Sequence, residues 1–436
     1  MKVRFAPSPT GKLHLGNARM AVANWLHARA QGGEFMLRMD DTDEERSTEA
    51  YAEGIKTDMT WLGLTWDSYA RQSDRYDRYE AAKQKLIADS RLYPCYESPE
   101  ELGLMRKSLL QRGKPPIYDR SALKLTEEDK AKFEAEGRKP HWRFKLLPGA
   151  IEWEDMARGS VHFEAENISD PVLLREDGRP LYTLSSVVDD IELEMTDIIR
   201  GEDHVTNTAA QVQLFEALGG SVPRFAHISL VLDAEGNKLS KRTADAMSLE
   251  GLREEKIDPL AIITYLAKLG TSEAPQAELD LQKVIDGFEV GGFGRAAPRM
   301  SVEELRHLNT ALLHISPFER VKDQLDCDEA FWLAFRENID SLDDVAQWQR
   351  IVAGDIEPVI EDASFASQAA DLLPEGEIEE NTWKAWTGAV KEATGRKGKD
   401  LFMPLRLALT GQSKGPEMAA LLKLIGRERV LKRLRG

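Results

Sequence analysis

The chain has 436 residues and a formal net charge of −17; its length gives two to four folded domains, and 42% hydrophobic with 31% charged residues excludes a disordered, fibrous or low-complexity protein. No 18 apolar residues occur in succession and residues 1–16 hold no apolar run behind basic ones, so neither a membrane span nor a secretory leader is supported and a cytoplasmic protein is expected. Cys95 and Cys327 are the only cysteines, which excludes a disulfide framework and a zinc site of several thiolates, and the acidic balance argues against a general nucleic-acid coat while leaving room for one local basic face.

The first elements are predicted as strand, loop, helix and strand. Residues 3–6 are short and apolar, and Pro7, Pro9 and Gly11 break them. Leu15, Ala18, Val22 and Trp25 then fall at helical spacing, Gly32 and Gly33 end the helix, and residues 35–39 resume as a strand. Two strands joined by a crossover helix form the βαβ unit of a parallel sheet, whose carboxyl edge is where such sheets bind ligands. From about residue 75 the texture changes to charged helices around Glu80 and Glu100, a Pro115-Pro116 turn and strand-like stretches at 141–147 and 161–163, which reads as an insertion. The parallel pattern returns with strands at 193–199 and 228–232 around a helix at about 207–218. Beyond Leu249, leucines and charges without strand signals predict helical bundles, and the run Lys423, Arg427, Arg429, Lys432, Arg433, Arg435 offers a basic face. Trp25, Trp61 and Trp66 are expected in the core, and His204 and His227 near the site by position only.

Two constellations carry chemistry. Pro7, Ser8, Pro9, Thr10, Gly11, Lys12, Leu13, His14, Leu15, Gly16 and Asn17 open the first helix. A helix start presents unpaired N–H groups and a positive dipole end, so phosphates can sit there; Gly16 leaves room for close approach, and His14 can donate to a phosphate or ribose oxygen. Lys238, Leu239, Ser240, Lys241 and Arg242 follow the turn Asp233-Ala234-Glu235-Gly236-Asn237. Cations on such a loop can close over a triphosphate and neutralise the charge that builds on the α-phosphate as pyrophosphate leaves. Alone, the first pattern fits a Pro-rich helix start equally well, and the second fits a solvated basic loop better. In order, each behind a predicted sheet strand, the two are far more informative.

The pair resembles the "HIGH" and "KMSKS" elements with which class I aminoacyl-tRNA synthetases bind ATP. Residues 4–11 (RFAPSPTG), 38–43 (RMDDTD), 118–120 (YDR), 187–190 (VVDD), 199–204 (IRGEDH) and 401–406 (LFMPLR) narrow the resemblance to bacterial glutamyl-tRNA synthetases and extend it over essentially the whole chain. The implied fold is α/β: a class I Rossmann-like catalytic domain in two halves, residues 1–75 and 188–248, with an α+β insertion at 76–187 for the acceptor end. Two all-α parts would follow, a stem-contact domain at 249–315 and an anticodon-binding domain at 316–436.

The activity so implied is that of a glutamate–tRNA ligase, which activates L-glutamate with ATP and Mg²⁺ and transfers it to tRNA for glutamate, for glutamine or for both, as a monomer. The resemblance places ATP on Pro7, Thr10, Gly11, His14, Gly16, Asn17, Asp203, Leu232, Lys238, Ser240 and Lys241, with His14, Lys238 and Lys241 assisting catalysis. Glutamate carries two carboxylates and one ammonium, so its pocket needs two guanidinium partners and an acid. The resemblance supplies Arg4 and Arg200 for the carboxylates and Asp40 for the ammonium, with Ala6, Ser8, Tyr182 and Ser186 lining the site. The family usually has Glu where Asp40 stands and often a longer polar residue where Ser186 stands, which shortens the ammonium contact by a methylene or bridges it with water. Some bacterial members carry a cysteine-rich zinc cluster near Tyr93-Pro94-Cys95-Tyr96; one cysteine is left here, and no structural zinc is expected. A glutaminyl enzyme shares the architecture, and an inactive nucleotide-binding paralogue would keep the fold, but intact Arg4, Arg200, Lys238 and Lys241 speak against the latter.

Overall fold

The computed structural model describes residues 1–239 and 247–436, so Ser240 and Lys241, both expected to bind ATP, lie outside the described residues. Two compact units emerge, one of residues 1–255 and 262–302, the other of 256–261 and 303–436.

In the first unit the expected βαβ element forms. β1 (Lys2–Phe5) and β2 (Glu34–Met39) pair in parallel around α1 (Leu15–Ala30). After α2 (Glu49–Trp61), β3 (Ser68–Arg71) adds a further parallel strand beside β2. Leu15, Ala18, Ala21, Val22 and Leu26 are all buried, because a helix with small and apolar residues on several sides must be covered on several sides. Next come α3 (Tyr76–Ala88), β4 (Leu92–Cys95), α4 (Pro99–Gln111), α5 (Glu127–Ala135), β5 (His141–Phe144), β6 (Ala150–Asp155), β7 (Gly159–Glu164) and β8 (Val172–Leu174). β4, β5 and β8 make a small antiparallel sheet. α6 (Tyr182–Glu192), β9 (Asp197–Gly201), α7 (Val205–Leu218) and β10 (Arg224–Ile228) complete a second sheet of order β7-β6-β10-β9, antiparallel only between β6 and β7. The β6–β7 hairpin thus lies inside the stretch read as an insertion yet hydrogen-bonds to β10.

Thr196, immediately before β9, joins the two sheets. Its N–H donates to the Lys2 carbonyl at 3.0 Å, and its hydroxyl accepts the Lys2 N–H at 2.9 Å. Both bonds tie the amino ends of β1 and β9, so the carboxyl ends of these strands emerge side by side.

Two strand positions differ from expectation. Residues 193–199 were expected as one strand, but Leu193 caps α6 and β9 starts at Asp197. Residues 228–232 were expected as the other, but β10 ends at Ile228 and Leu230 is 42% exposed. In both cases the true strand buries polar side chains, Asp197 and Arg200 in β9 and His227 in β10, whose partners come from other segments. Hydropathy alone does not register such residues as strand interior. Trp25 is core as expected, whereas Trp61 and Trp66 are half-buried.

The second unit is helical. Trp332, Phe335, Trp348, Trp386, Leu405 and Leu421 share its core. The Trp332 and Trp386 indoles are fully enclosed and donate to the carbonyls of Ser316 (2.9 Å) and Ala369 (2.7 Å), which satisfies their one polar atom. The terminal basic run is partly consumed internally. Arg433 is only 4% exposed and donates to the carbonyls of Ile351, Leu409 and Gly354, while Lys432 pairs with Asp355 and Arg435 with Asp371. Among the described residues, no helix is long and apolar enough to cross a membrane.

Candidate active site

The carboxyl ends of β1 and β9 open into a cavity of about 960 Å³. From β1 and its following loop come Arg4, Ala6, Pro7, Ser8, Thr10 and Gly11; from the head of α1 come His14 and Asn17; Asp40, Tyr182 and Arg200 complete the expected set on its wall. Gly16, Ser186, Asp203, Leu232 and Lys238 are not on its described wall. Lys12, Asn24, Tyr51, His204 and Ser248 line it without having been singled out as binding residues.

His14 is the N-cap of α1, and its Nδ1 accepts the Gly16 N–H at 3.1 Å. An accepting Nδ1 carries no proton, so the ring is inferred to be the neutral tautomer with hydrogen on Nε2, a donor beside the helix N-terminus. Gly16, expected to make room for the ligand, instead makes room for this ring. A Cβ there would lie 2.9 Å from His14 Cε1 and 3.3 Å from Leu239 Cδ1. The first motif and the described start of the second therefore meet at Gly16. The chain following the second motif also returns to the first: Leu15 N–H donates to the Met247 carbonyl, Leu249 N–H donates to the Leu13 carbonyl, and Ser248 bridges His14. Lys238 is exposed, on a turn closed by its bridge to Leu232 and by the Asn237 N–H donating to Asp233 at 2.7 Å.

Below one wall lies a buried charge network that sequence reasoning did not assemble. Arg38, fully enclosed, grips Asp40 through two N–H groups at 2.7 and 3.1 Å and donates to Asp190 at 2.8 Å. Arg4 also donates to Asp190, at 2.9 Å. Ser186, expected on the cavity wall, is 0% exposed and its hydroxyl accepts from Arg38 at 3.3 Å. It faces inward because α6 turns Ser186 and Asp190, one helical turn apart, to the same side. Burial would raise the Asp190 carboxyl, but Arg4 and Arg38 outweigh it and hold the group below the usual carboxylate range. At Asp40 burial prevails over Arg38 and pushes the carboxyl up to about 6.

Arg200 differs from Arg4 and Arg38. It is buried, and its recorded partners are all uncharged: Tyr182 Oη at 2.9 Å, Thr208 Oγ1 and Gln211 Oε1 at 2.6 Å, and His227 Nε2 at 3.3 Å. Among the described residues no carboxylate forms an ion pair with it. A buried guanidinium without a counter-ion is a site for an incoming anion. His204, whose ring centroid lies 5.1 Å from that of Tyr182, is pulled down to about 4 by burial and by Arg200, so it adds no charge at neutral pH.

Among the described residues, Cys95, Glu97 and His141 are the one group of metal-ligating side chains close enough to share an ion, with ligand atoms within 4.8 Å of one another. Glu97 and His141 each keep one buried polar atom, Oε2 and Nε2, without a hydrogen-bond partner. The Tyr118 hydroxyl donates to Glu97 at 2.6 Å. Burial pushes the Cys95 thiol up to about 12.

Comparison with known proteins gives the chain a family and a fold. The family profile described as "tRNA synthetases class I (E and Q), catalytic domain" matches residues 1–305, and "Anticodon binding domain" matches residues 334–436. The chain is 54% identical to glutamate–tRNA ligase 1 of Maricaulis maris, covering 100% of this chain and 99% of that protein. It is 53% identical to the glutamate–tRNA ligase of Azospirillum brasilense, covering 100% and 98%. The crystal structure of a glutamate tRNA ligase from Elizabethkingia meningosepticum, in complex with its amino acid, superposes with a TM-score of 0.86 at 29% identity, covering 100% of this chain and 98% of that one.

Proposed function

The chain belongs to the class I tRNA synthetases for glutamate and glutamine, and from its site we propose that it activates L-glutamate as glutamyl-adenylate and passes the glutamyl group to tRNA. The observation that carries this reading is that one cavity holds both the helix-capping His14 and Arg200, which has no ion-pair partner among the described residues. The first suits the phosphates of ATP, and the second suits a carboxylate of the amino acid.

In the proposed first step an α-carboxylate oxygen of glutamate attacks the α-phosphorus of ATP in line. The bond from that phosphorus to the bridging oxygen breaks, and pyrophosphate leaves with its Mg²⁺. In the second, the terminal ribose hydroxyl of tRNA attacks the carbonyl carbon of the mixed anhydride, loses its proton and expels AMP. Neither step needs a protein nucleophile, so positioning and charge stabilisation supply the acceleration. His14 Nε2–H and the α1 N-terminus would donate to phosphate oxygens, with Lys238 and Lys241 neutralising the departing pyrophosphate. Pro7, Thr10, Gly11 and Asn17 would shape the ATP side, with Ser240, Asp203 and Leu232 beyond the described wall. Arg200, Tyr182, Arg4, Ala6 and Ser8 would hold the glutamate carboxylates, and Asp40 the ammonium. Ser186 would serve through Arg38, by fixing the group that grips Asp40.

A cation at the side-chain end of the pocket, which the resemblance supplies through Arg4 or Arg200, favours a carboxylate over the neutral amide of glutamine. Glutamate-dependent pyrophosphate exchange with total tRNA present tests the proposal, with glutamine as competitor. Exchange driven by glutamate and undisturbed by equimolar glutamine supports it; exchange driven by glutamine, or none, overturns it. Charging of tRNA for glutamate and for glutamine side by side then decides which acceptor is used.

Asp40 sets a pH dependence. Its carboxyl sits near about 6, and only the ionised form attracts the ammonium, so the contact is present above that pH and lost as pH falls through it. The KM for glutamate is expected to rise as pH drops from 7 to 5, roughly tenfold per unit below the midpoint. Asp40→Asn is expected to show a high KM at every pH with the slope removed. A flat wild-type profile would remove Asp40 from this role.

A further inference from the structure

Behind Arg200 stands a second layer of polar groups. His227, on β10, has its Nδ1 2.5 Å from Asp155 Oδ2, and neither side chain has any exposure. Asp155, the last residue of β6, also accepts the backbone N–H groups of His227, Ala157 and Arg158 on Oδ1, each at 3.1 Å. Against the effect of burial, the bonds from His227 and these N–H groups hold its carboxyl below the usual range. An ionised carboxylate can only accept, so Nδ1 of His227 carries the proton. Nε2 then offers its lone pair to the Arg200 Nε–H at 3.3 Å and to the Thr208 hydroxyl at 2.7 Å.

The Arg200 donors can be followed individually. A guanidinium has five N–H groups. Nε is used on His227, both hydrogens of Nη2 on Thr208 and Gln211, and one of Nη1 on Tyr182. One Nη1 hydrogen is left, beside a tyrosine hydroxyl that accepts from Arg200 and keeps its own hydrogen to give. Nη1 and the Tyr182 oxygen stand 2.9 Å apart and both residues line the cavity, so the pair can serve the two oxygens of a carboxylate.

We propose that His227 is a positioning residue for glutamate: anchored by Asp155, it fixes the plane of the Arg200 guanidinium from behind, so that the remaining Nη1–H and the Tyr182 hydroxyl stay turned to the substrate carboxylate. This rests on the reading that Arg200 binds glutamate. His227 must stay neutral to do so, since a proton on Nε2 would set two N–H groups against each other. The groups facing it are Asp155 from β6, Arg200 from β9, Thr208 from α7 and the more distant charge of Arg158, with Trp153 and Phe225 packed against the ring. Burial draws the imidazole below its ordinary value; the bond to Asp155 opposes this, and the charges of Arg200 and Arg158 assist it.

The test is a comparison of His227→Leu and His227→Gln in the full chain, reading KM for glutamate, KM for ATP and kcat in pyrophosphate exchange, with the thermal midpoint as a check on folding. His227→Leu is expected to raise the glutamate KM about ten- to a hundredfold while leaving the ATP KM unchanged. In His227→Gln the side-chain oxygen can accept from Arg200 Nε–H and recovers most of the loss. An unchanged glutamate KM in His227→Leu, an equal rise for both substrates, or a glutamine variant as poor as the leucine one would each overturn the proposal. Should His227→Leu not fold, His227→Asn replaces it: the shorter amide reaches Asp155 but not Arg200, so the glutamate KM must rise for asparagine and not for glutamine. Arg200→Ala, measured alongside, separates the two readings. If it leaves the glutamate KM unchanged, the assignment of Arg200 fails; if it raises that KM and the His227 variants do not, only the role of His227 fails.

Discussion

Replacing Arg200 by alanine is expected to lower kcat/KM for glutamate by about 10²- to 10³-fold, mostly through KM, because it removes the charged partner of a carboxylate held away from water. The ATP KM should change little, since the residue's hydrogen bonds among the described residues go to Tyr182, Thr208, Gln211 and His227 and its guanidinium lies over the Phe225 ring. Arg200→Lys should recover part of the loss: it restores the charge but offers one point donor in place of a planar fork. Steady-state pyrophosphate exchange at varied glutamate checks this, and a glutamate KM equal to wild type in a folded Arg200→Ala variant would contradict it. Arg4→Ala is a weaker probe, because Arg4 is already committed to Asp190 and its loss would also disturb Arg38 and Asp40.

His14→Ala is expected to slow adenylate formation by about 10²- to 10³-fold in kcat, the usual cost of losing one donor that acts in the transition state. The geometry makes this specific to Nε2, because Nδ1 is already occupied by the Gly16 N–H. Gly16→Ala should slow the same step without touching the imidazole's chemistry, since the new methyl group would lie 2.9 Å from the ring and displace it from its cap. Rapid-quench measurement of adenylate checks both. Normal rates in Gly16→Ala would show that the ring position does not matter.

The loop before α1 was legible because its information is local: Pro7, Pro9 and Gly11 break a strand, and a capped helix follows within a few residues. Arg38 was visible as part of a family-like run, yet its purpose was not, since its partners Asp190 and Ser186 stand 152 and 148 positions away and meet it only through the α6 face. The same holds more strongly for Arg200. Its uncharged hydrogen-bond partners come from α6, α7 and β10, and the lack of an ion pair to it among the described residues is a property of the folded interior rather than of any stretch of chain. Asp155, and the role of His227, which the sequence places near the site by position only, escaped for a related reason. Asp155 ends a strand that already carries Glu152 and Glu154 and does not stand out from them, while His227 sits among apolar neighbours, and neither reads as a buried partner until the other is placed beside it. Gly16 shows the reverse case, in which the residue was singled out for room beside a ligand and its space is filled by a neighbouring side chain.

The central claim is that the His14 and Arg200 sides of one cavity bind the two halves of a single intermediate, and the most direct measurement is a crystal structure with a non-hydrolysable sulfamoyl analogue of glutamyl-adenylate. The account predicts the sulfamoyl group within hydrogen-bond distance of His14 Nε2 at the start of α1, and a glutamyl carboxylate on Arg200 Nη1 and the Tyr182 hydroxyl. An analogue bound with its carboxylate on other cations, Arg200 still holding only its uncharged neighbours, would contradict it.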